Sequence, residues 1–233
     1  MGIFDKFKRR KDAAEESQAA AGAWSASGAQ QAADPQVAGQ QAAVQQVAEL
    51  REQVELWVRP GFLGRADVLE YARDFRDDDQ VPVDDQDLEQ LVEDVWQARL
   101  AEQASWPAST DADRVAAAFA ELDANGVVAR MNFTCCQNCG VTEIDDERPD
   151  DRPSSGYVFF HQQDAERLAE EPAQLYLAYG TLDPEQGRVA EQDEAVGRRV
   201  QEALLAQGLP VEWDGSSTAR ISVGPLTWRR RLS

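Results

Sequence analysis

Val47, Leu50, Val54 and Val58, with Trp57 among them, recur at spacings of three and four. That period predicts an amphipathic helix, and Pro60-Gly61 predicts its end. Val68, Leu69, Ala72 and Phe75 predict a second helix over 67–75, followed by an acidic turn of Asp77, Asp78, Asp79 and Pro82. Residues 84–104 carry the widest stripe, with Leu88, Leu91, Val92, Val95, Trp96 and Leu100 on one side. Asp84, Asp85 and Asp87 stand where the helix dipole favours negative charge. Trp106-Pro107 breaks the pattern. Thr110 or Asp111 then caps a helix that turns Val115, Phe119 and Leu122 inward and closes at Asn125-Gly126.

Beyond Gly126 the period shortens towards two. Strands are predicted at 127–133, 156–161 (GYVFFH), 174–179, 209–213 and 219–223, with Asp214-Gly215 turning the last two into a hairpin. A short helix over 164–170 has Asp164 as its expected cap. A longer one over 193–207 uses Val196, Val200, Ala203 and Leu204 and stops at Gly208 and Pro210. Residues 143–155 are polar, acidic and proline-containing, which predicts a loop. The expected fold class is α+β: an N-terminal helical segment followed by a mostly antiparallel sheet covered by two helices.

Composition divides the chain further. Residues 13–48 hold 14 Ala and 8 Gln among 36 positions, too little bulk to offset the entropy of ordering. Residues 1–47 are expected to be a disordered, basic-tipped tail, residues 48–106 a helical segment, and residues 111–233 an α+β domain. All three lysines, Lys6, Lys8 and Lys11, lie in the first 11 residues beside Arg9 and Arg10, interleaved with Ile3, Phe4 and Phe7. Such a tip could touch an anionic membrane surface, although three apolar side chains anchor weakly. Five basic and five acidic residues cancel within the tail, so the net charge of −20 belongs to residues 48–233.

That charge disfavours a nucleic-acid partner, because phosphate contacts need a basic footprint. It suits solubility, or a basic protein partner reached by electrostatic steering. No run approaches the roughly 20 apolar residues of a membrane span, and no compact apolar run follows the basic start. A cytoplasmic location is expected, where three cysteines serve as thiols or metal ligands rather than as a disulfide framework.

The chemistry is concentrated in one stretch. Cys135, Cys136 and Cys139 lie in TCCQNCG, and the single histidine, His161, follows 22 positions after Cys139, with Asp164 three further on. Cys136 and Cys139 have the C-x-x-C spacing of a zinc knuckle, and Gly140 could supply the positive φ of a tight turn. The expected metal set is Cys136, Cys139, His161 and Asp164, holding zinc, with Cys135 as the alternative ligand. Neighbours in an extended chain point to opposite sides, so only one of Cys135 and Cys136 is expected to join Cys139. The alternatives are a redox-active dithiol, inert packed thiols, and an Asp-oriented histidine acting as a base on a thiolate. No Gly-rich phosphate fingerprint and no carboxylate dyad stands out.

The stretches GVVARMNFTCCQNCG, GYVFFHQQD, LYLAYG and GLPVEWDGSSTARISV together resemble an uncharacterised domain family of actinobacterial proteins over roughly residues 112–231. The resemblance implies a shared fold and no particular reaction. The sequence expectation for function is therefore a non-enzymatic cytosolic acidic interaction or regulatory protein, with an immunity or antitoxin-like role as one version. The alternative is a structural zinc-binding or thiol-redox protein built on the CCxxC/His cluster.

Overall fold

The computed structural model describes residues 35–232. The basic tip at 1–11 and most of the expected disordered tail lie outside the described residues. The first described element, α1 (Pro35–Val58), begins well before the expected start of order near Val47. Pro35 fits the first helical position, and the Ala and Gln that follow are good helix formers. The Ala/Gln composition therefore reads here as helix rather than tail. The described residues fall into two parts, those up to Val44 and those from Gln45 on. Within the first, Val37 and Val44 are exposed.

In the second unit, the C-terminal half of α1 is joined by α2 (Arg65–Asp78) and α3 (Asp85–Gln103). Leu50, Val54, Trp57, Val68, Leu88, Val92 and Val95 form their common core. Each such buried side chain contributes about 1.5–3 kcal/mol relative to exposure in water. Asp84 caps α3, its side chain accepting from the Asp87 N–H at 2.8 Å. Thr110 caps α4 (Asp111–Ala124) and closes a reciprocal box with Asp113.

The sheet contains β1 (Val127–Arg130), β2 (Gly156–Phe159), β3 (Ala173–Thr181), β4 (Val211–Glu212) and β5 (Ile221–Leu226), in the order β1-β2-β3-β5-β4. β1 and β2 are parallel, and the other three pairings are antiparallel. Alternation sorts the side chains. Val127, Ala129, Val158, Leu175, Leu177, Ile221 and Val223 face the core shared with α4 and α7 (Val189–Ala206). Val128, Phe159 and Ala178 face the other way, onto Ile144 and Leu182. The expected two-helix cover is thus present on one face.

β3 pairs on its two sides over different halves. Residues 178–181 pair with β2, while 173–177 pair with β5. β2 consequently ends on one flank of β3 about where β5 begins on the other.

The segment after β5 ties the helical part of this unit to the sheet. Trp228 is buried, and its indole N–H donates to the Pro60 carbonyl at 3.0 Å. Phe62 lies between Phe160 and Trp228, with ring centroids 5.7 and 6.2 Å away. Arg230 stacks over Phe62, and Arg231 pairs with Asp113 at 2.8 Å. The terminal arginines are thereby drawn onto the acidic body.

Candidate metal centre and adjoining pocket

Parallel pairing brings the cysteines and the histidine together. β1 and β2 run in register from Val127 opposite Gly156 to Arg130 opposite Phe159, so both chains leave the sheet at the same end. They stay linked beyond the strands: the Phe133 N–H donates to the Phe160 carbonyl at 2.9 Å, and the Gln162 N–H donates to the Thr134 carbonyl at 3.1 Å. Ligand sites commonly form beyond the carboxyl ends of parallel strands.

The expected strand over 127–133 stops at Arg130. Asn132 and Thr134 take positive φ values of 52° and 56°, which turn the chain out of the extended state. A helix that the sequence reading missed, α5 (Gln137–Glu143), follows with Cys136 at its N-cap. A short 3₁₀ turn, Ile144–Glu147, then occupies part of the expected loop and buries Ile144.

The turn and the helix gather all three thiols. One ligand atom from each of Cys135, Cys136 and Cys139 lies within 4.8 Å of the others. The Cys135 and Cys139 sulfurs are 3.5 Å apart. This corrects the expectation that Cys135 and Cys136 point apart, which assumed an extended chain. Gly140 serves a different purpose from the one expected: it is helical, and a Cβ there would lie 2.4 Å from the Phe159 ring. Its missing side chain lets α5 lie against the sheet.

The three thiols are not equivalent. The backbone N–H of Cys139, with help from its thiol, lowers the pKa of Cys136 below the ordinary thiol value. The Cys139 thiol is pushed up to about 11 by hydrogen bonding to Cys135 and Cys136 and by their negative charge. A metal-free cluster therefore ionises first away from Cys139.

His161 and Asp164 take other roles. Helix α6 (Gln162–Glu166) has His161 at its N-cap and Asp164 at its third position, so Asp164 is not the cap itself. The Asp164 side chain is 3 % exposed, and the His161 Nε2 lies 3.0 Å from its Oδ2. Arg220 grips the same carboxylate with both terminal nitrogens, one of them 3.1 Å from Oδ1, and also donates to the Tyr176 carbonyl. Burial alone would raise the Asp164 pKa. Hydrogen bonds from His161 and Arg220 and the Arg220 charge outweigh it and hold the carboxyl below its usual range. With Nε2 serving Asp164, His161 Nδ1 is buried and has no hydrogen-bond partner among the described residues.

The four expected ligands thus divide. Cys136 and Cys139 sit in the thiol cluster with Cys135. His161 and Asp164 fall outside that 4.8 Å group, and the Asp164 oxygens are engaged by His161 and Arg220. The parts still meet at a pocket of about 310 Å³, whose wall includes Cys136, Asn138, His161, Gln163 and Arg220. Arg220 was missed because it enters from the start of β5, 56 residues from Asp164 in sequence. Nothing local to its sequence marks it.

Fold and site together define an α+β protein with a compact cluster of three thiols beside a polar pocket. The chain belongs to the family described as Domain of unknown function (DUF6891), which matches residues 43–232. The match takes in the helical segment 48–106, which the resemblance from sequence had left out. Neither the curated proteins nor the solved structures gave a match. Among the described residues no helix is long and apolar enough to cross a membrane.

Proposed function

We propose that Cys135, Cys136 and Cys139 hold a thiophilic metal ion, zinc in the reducing cytoplasm, and that the protein acts through this thiolate centre. The supporting observation is the convergence of all three sulfur atoms within 4.8 Å. Tetrahedral zinc with bonds of about 2.3 Å needs sulfurs roughly 3.8 Å apart, close to the 3.5 Å between Cys135 and Cys139. Asp164 then orients His161 instead of binding metal. This is the outer-shell arrangement in which a histidine gives one N–H to a carboxylate and keeps its other nitrogen free. If a fourth protein ligand completes the shell, His161 Nδ1 is the group suited to it.

Elemental analysis of protein purified without chelator tests the centre. About one equivalent of zinc is expected, falling below half an equivalent when Cys136 and Cys139 are both replaced by serine. Metal-free wild-type protein that also fails to take up added zinc would overturn the reading.

The net charge of −20 supports a second reading, a non-enzymatic interaction or regulatory role with a basic protein as partner. Pull-down at low and high salt tests it. A specific partner released by salt is expected, and recovery of none would end the idea.

A further inference from the structure

We propose that a small-molecule disulfide oxidises the thiol centre, that the bond formed joins Cys135 to Cys139 rather than the C-x-x-C pair, and that its formation discharges the metal. The discharge rests on the zinc reading above; the bond does not.

Two of the three sulfurs are already in contact. Cys135 Sγ lies 3.5 Å from Cys139 Sγ, and Cys136 completes a group within 4.8 Å. The 3.5 Å falls between the roughly 3.8 Å that two ligands of tetrahedral zinc require and the roughly 2.05 Å of a disulfide. One backbone arrangement therefore stands close to both states. Passing from one to the other asks the two sulfurs to approach by roughly 1.5 Å.

The chain decides the pairing. Cys135 and Cys136 are neighbours joined by a trans peptide. Their Cα atoms, about 3.8 Å apart, are closer than the usual disulfide span of roughly 4.4–6.8 Å. Cys136 is fastened as the N-cap of α5. Its carbonyl accepts from the Gly140 N–H at 3.0 Å and from the Thr134 hydroxyl at 3.2 Å. Cys135 stands outside the helix, in the turn after Thr134, and its side chain is exposed. It is the thiol that meets an oxidant first and has room to close on Cys139.

The chemistry is two thiol–disulfide exchanges. The Cys135 thiolate attacks one sulfur of the small disulfide, whose S–S bond breaks and releases one small thiolate. The Cys139 sulfur then attacks the Cys135 sulfur of the mixed disulfide and releases the second. Cys135 and Cys139 give up two electrons, which reduce one small disulfide to two thiols. The two protons come from the protein thiols in metal-free chain and from solvent when zinc is bound. Zinc left with Cys136 alone has lost its thiolate shell and dissociates.

The test uses hydroxyethyl disulfide, an uncharged probe, because a chain of net charge −20 repels anionic disulfides such as oxidised glutathione. Zinc-loaded full chain is treated at neutral pH without oxygen. Freed small thiol, released zinc and the position of the remaining protein thiol, alkylated and located by tandem mass spectrometry, are read together. Two small thiols and one zinc per chain are expected, with alkylation at Cys136. Cys135→Ser, at an exposed position, should form an intramolecular bond at least about tenfold more slowly. Alkylation at Cys135, or an undiminished rate in Cys135→Ser, would overturn the pairing. A chain that stops at the mixed disulfide would overturn the oxidation, and a bond formed with zinc retained would overturn the discharge. A chain that takes up no zinc and still joins Cys135 to Cys139 would support the bond and remove the zinc reading alone, together with the discharge that rests on it.

Discussion

The edge of the Phe159 ring occupies the space that a side chain on Gly140 would need. A Cβ at Gly140 would stand 2.4 Å from the ring carbon Cε2, and the ring, itself fully buried, has no free space to retreat into. Gly140→Ala is expected to destabilise the protein by about 1–3 kcal/mol. It should also weaken zinc uptake, because α5 carries Cys139 and is capped by Cys136. Chemical denaturation and zinc titration check both effects. Adding Phe159→Leu should restore part of the stability, and a full-strength double mutant defect would mean that the contact is not the cause.

The unequal thiols make an order of modification. In reduced, metal-free protein, Cys136, whose pKa is lowered, should be alkylated before Cys139, whose thiol is pushed up to about 11. Peptide mapping after brief iodoacetamide treatment at neutral pH reads the order. Bound zinc should slow the reaction at all three positions.

Acid should loosen the network around Asp164. Its carboxyl stays ionised in the folded chain to lower pH than in the unfolded chain, where the ordinary value is 3.8. The resulting stabilisation is complete above that value and drains as pH falls below it towards the folded pKa. Asp164→Asn removes this component, so the acid limb of the stability profile should become shallower. At neutral pH the same change leaves Arg220 without its countercharge and is expected to cost about 3 kcal/mol. Thermal melts from neutral pH down to about 3 follow both effects.

The C-terminal segment should matter more than its position suggests. Trp228 is 3 % exposed and donates to the Pro60 carbonyl at 3.0 Å. Trp228→Phe should cost about 1 kcal/mol, the worth of one hydrogen bond, and Trp228→Ala about 3–5 kcal/mol. Equilibrium unfolding measures the difference. Equal losses in the two variants would assign the effect to the indole N–H alone.

Much of the scaffold was legible in sequence because its determinants are local. The stripe from Leu88 to Leu100 and the cap at Asp84 mark α3, and the alternation of Leu175 and Leu177 with Tyr176 and Ala178 marks β3. The errors have non-local or conformational causes. Asn132 and Thr134 take left-handed backbone that neither residue type demands, so the strand ended early and the thiols converged unannounced. Gly140 suggested a turn, yet its constraint comes from Phe159 across 19 positions. The expected strand over 209–213 shrank to Val211–Glu212, which pairs with β5. Cys136 and His161, expected as ligands of one metal, line one pocket, while the thiol cluster itself leaves His161 out. The reason, parallel pairing of β1 with β2, lies in long-range register that local periodicity does not encode.

That parallel register separates the geometry of the site from the length of the chain between its parts. The thiol loop and His161 are placed by where two neighbouring strands end, and the exposed stretch from Asp150 to Pro153 merely returns the chain from one to the other. Loop length costs little free energy in such a connection. Extra residues there, a reporter peptide included, should leave the thiols and the pocket as they are. Relatives of very different spacing between CCxxC and His could therefore carry the same centre.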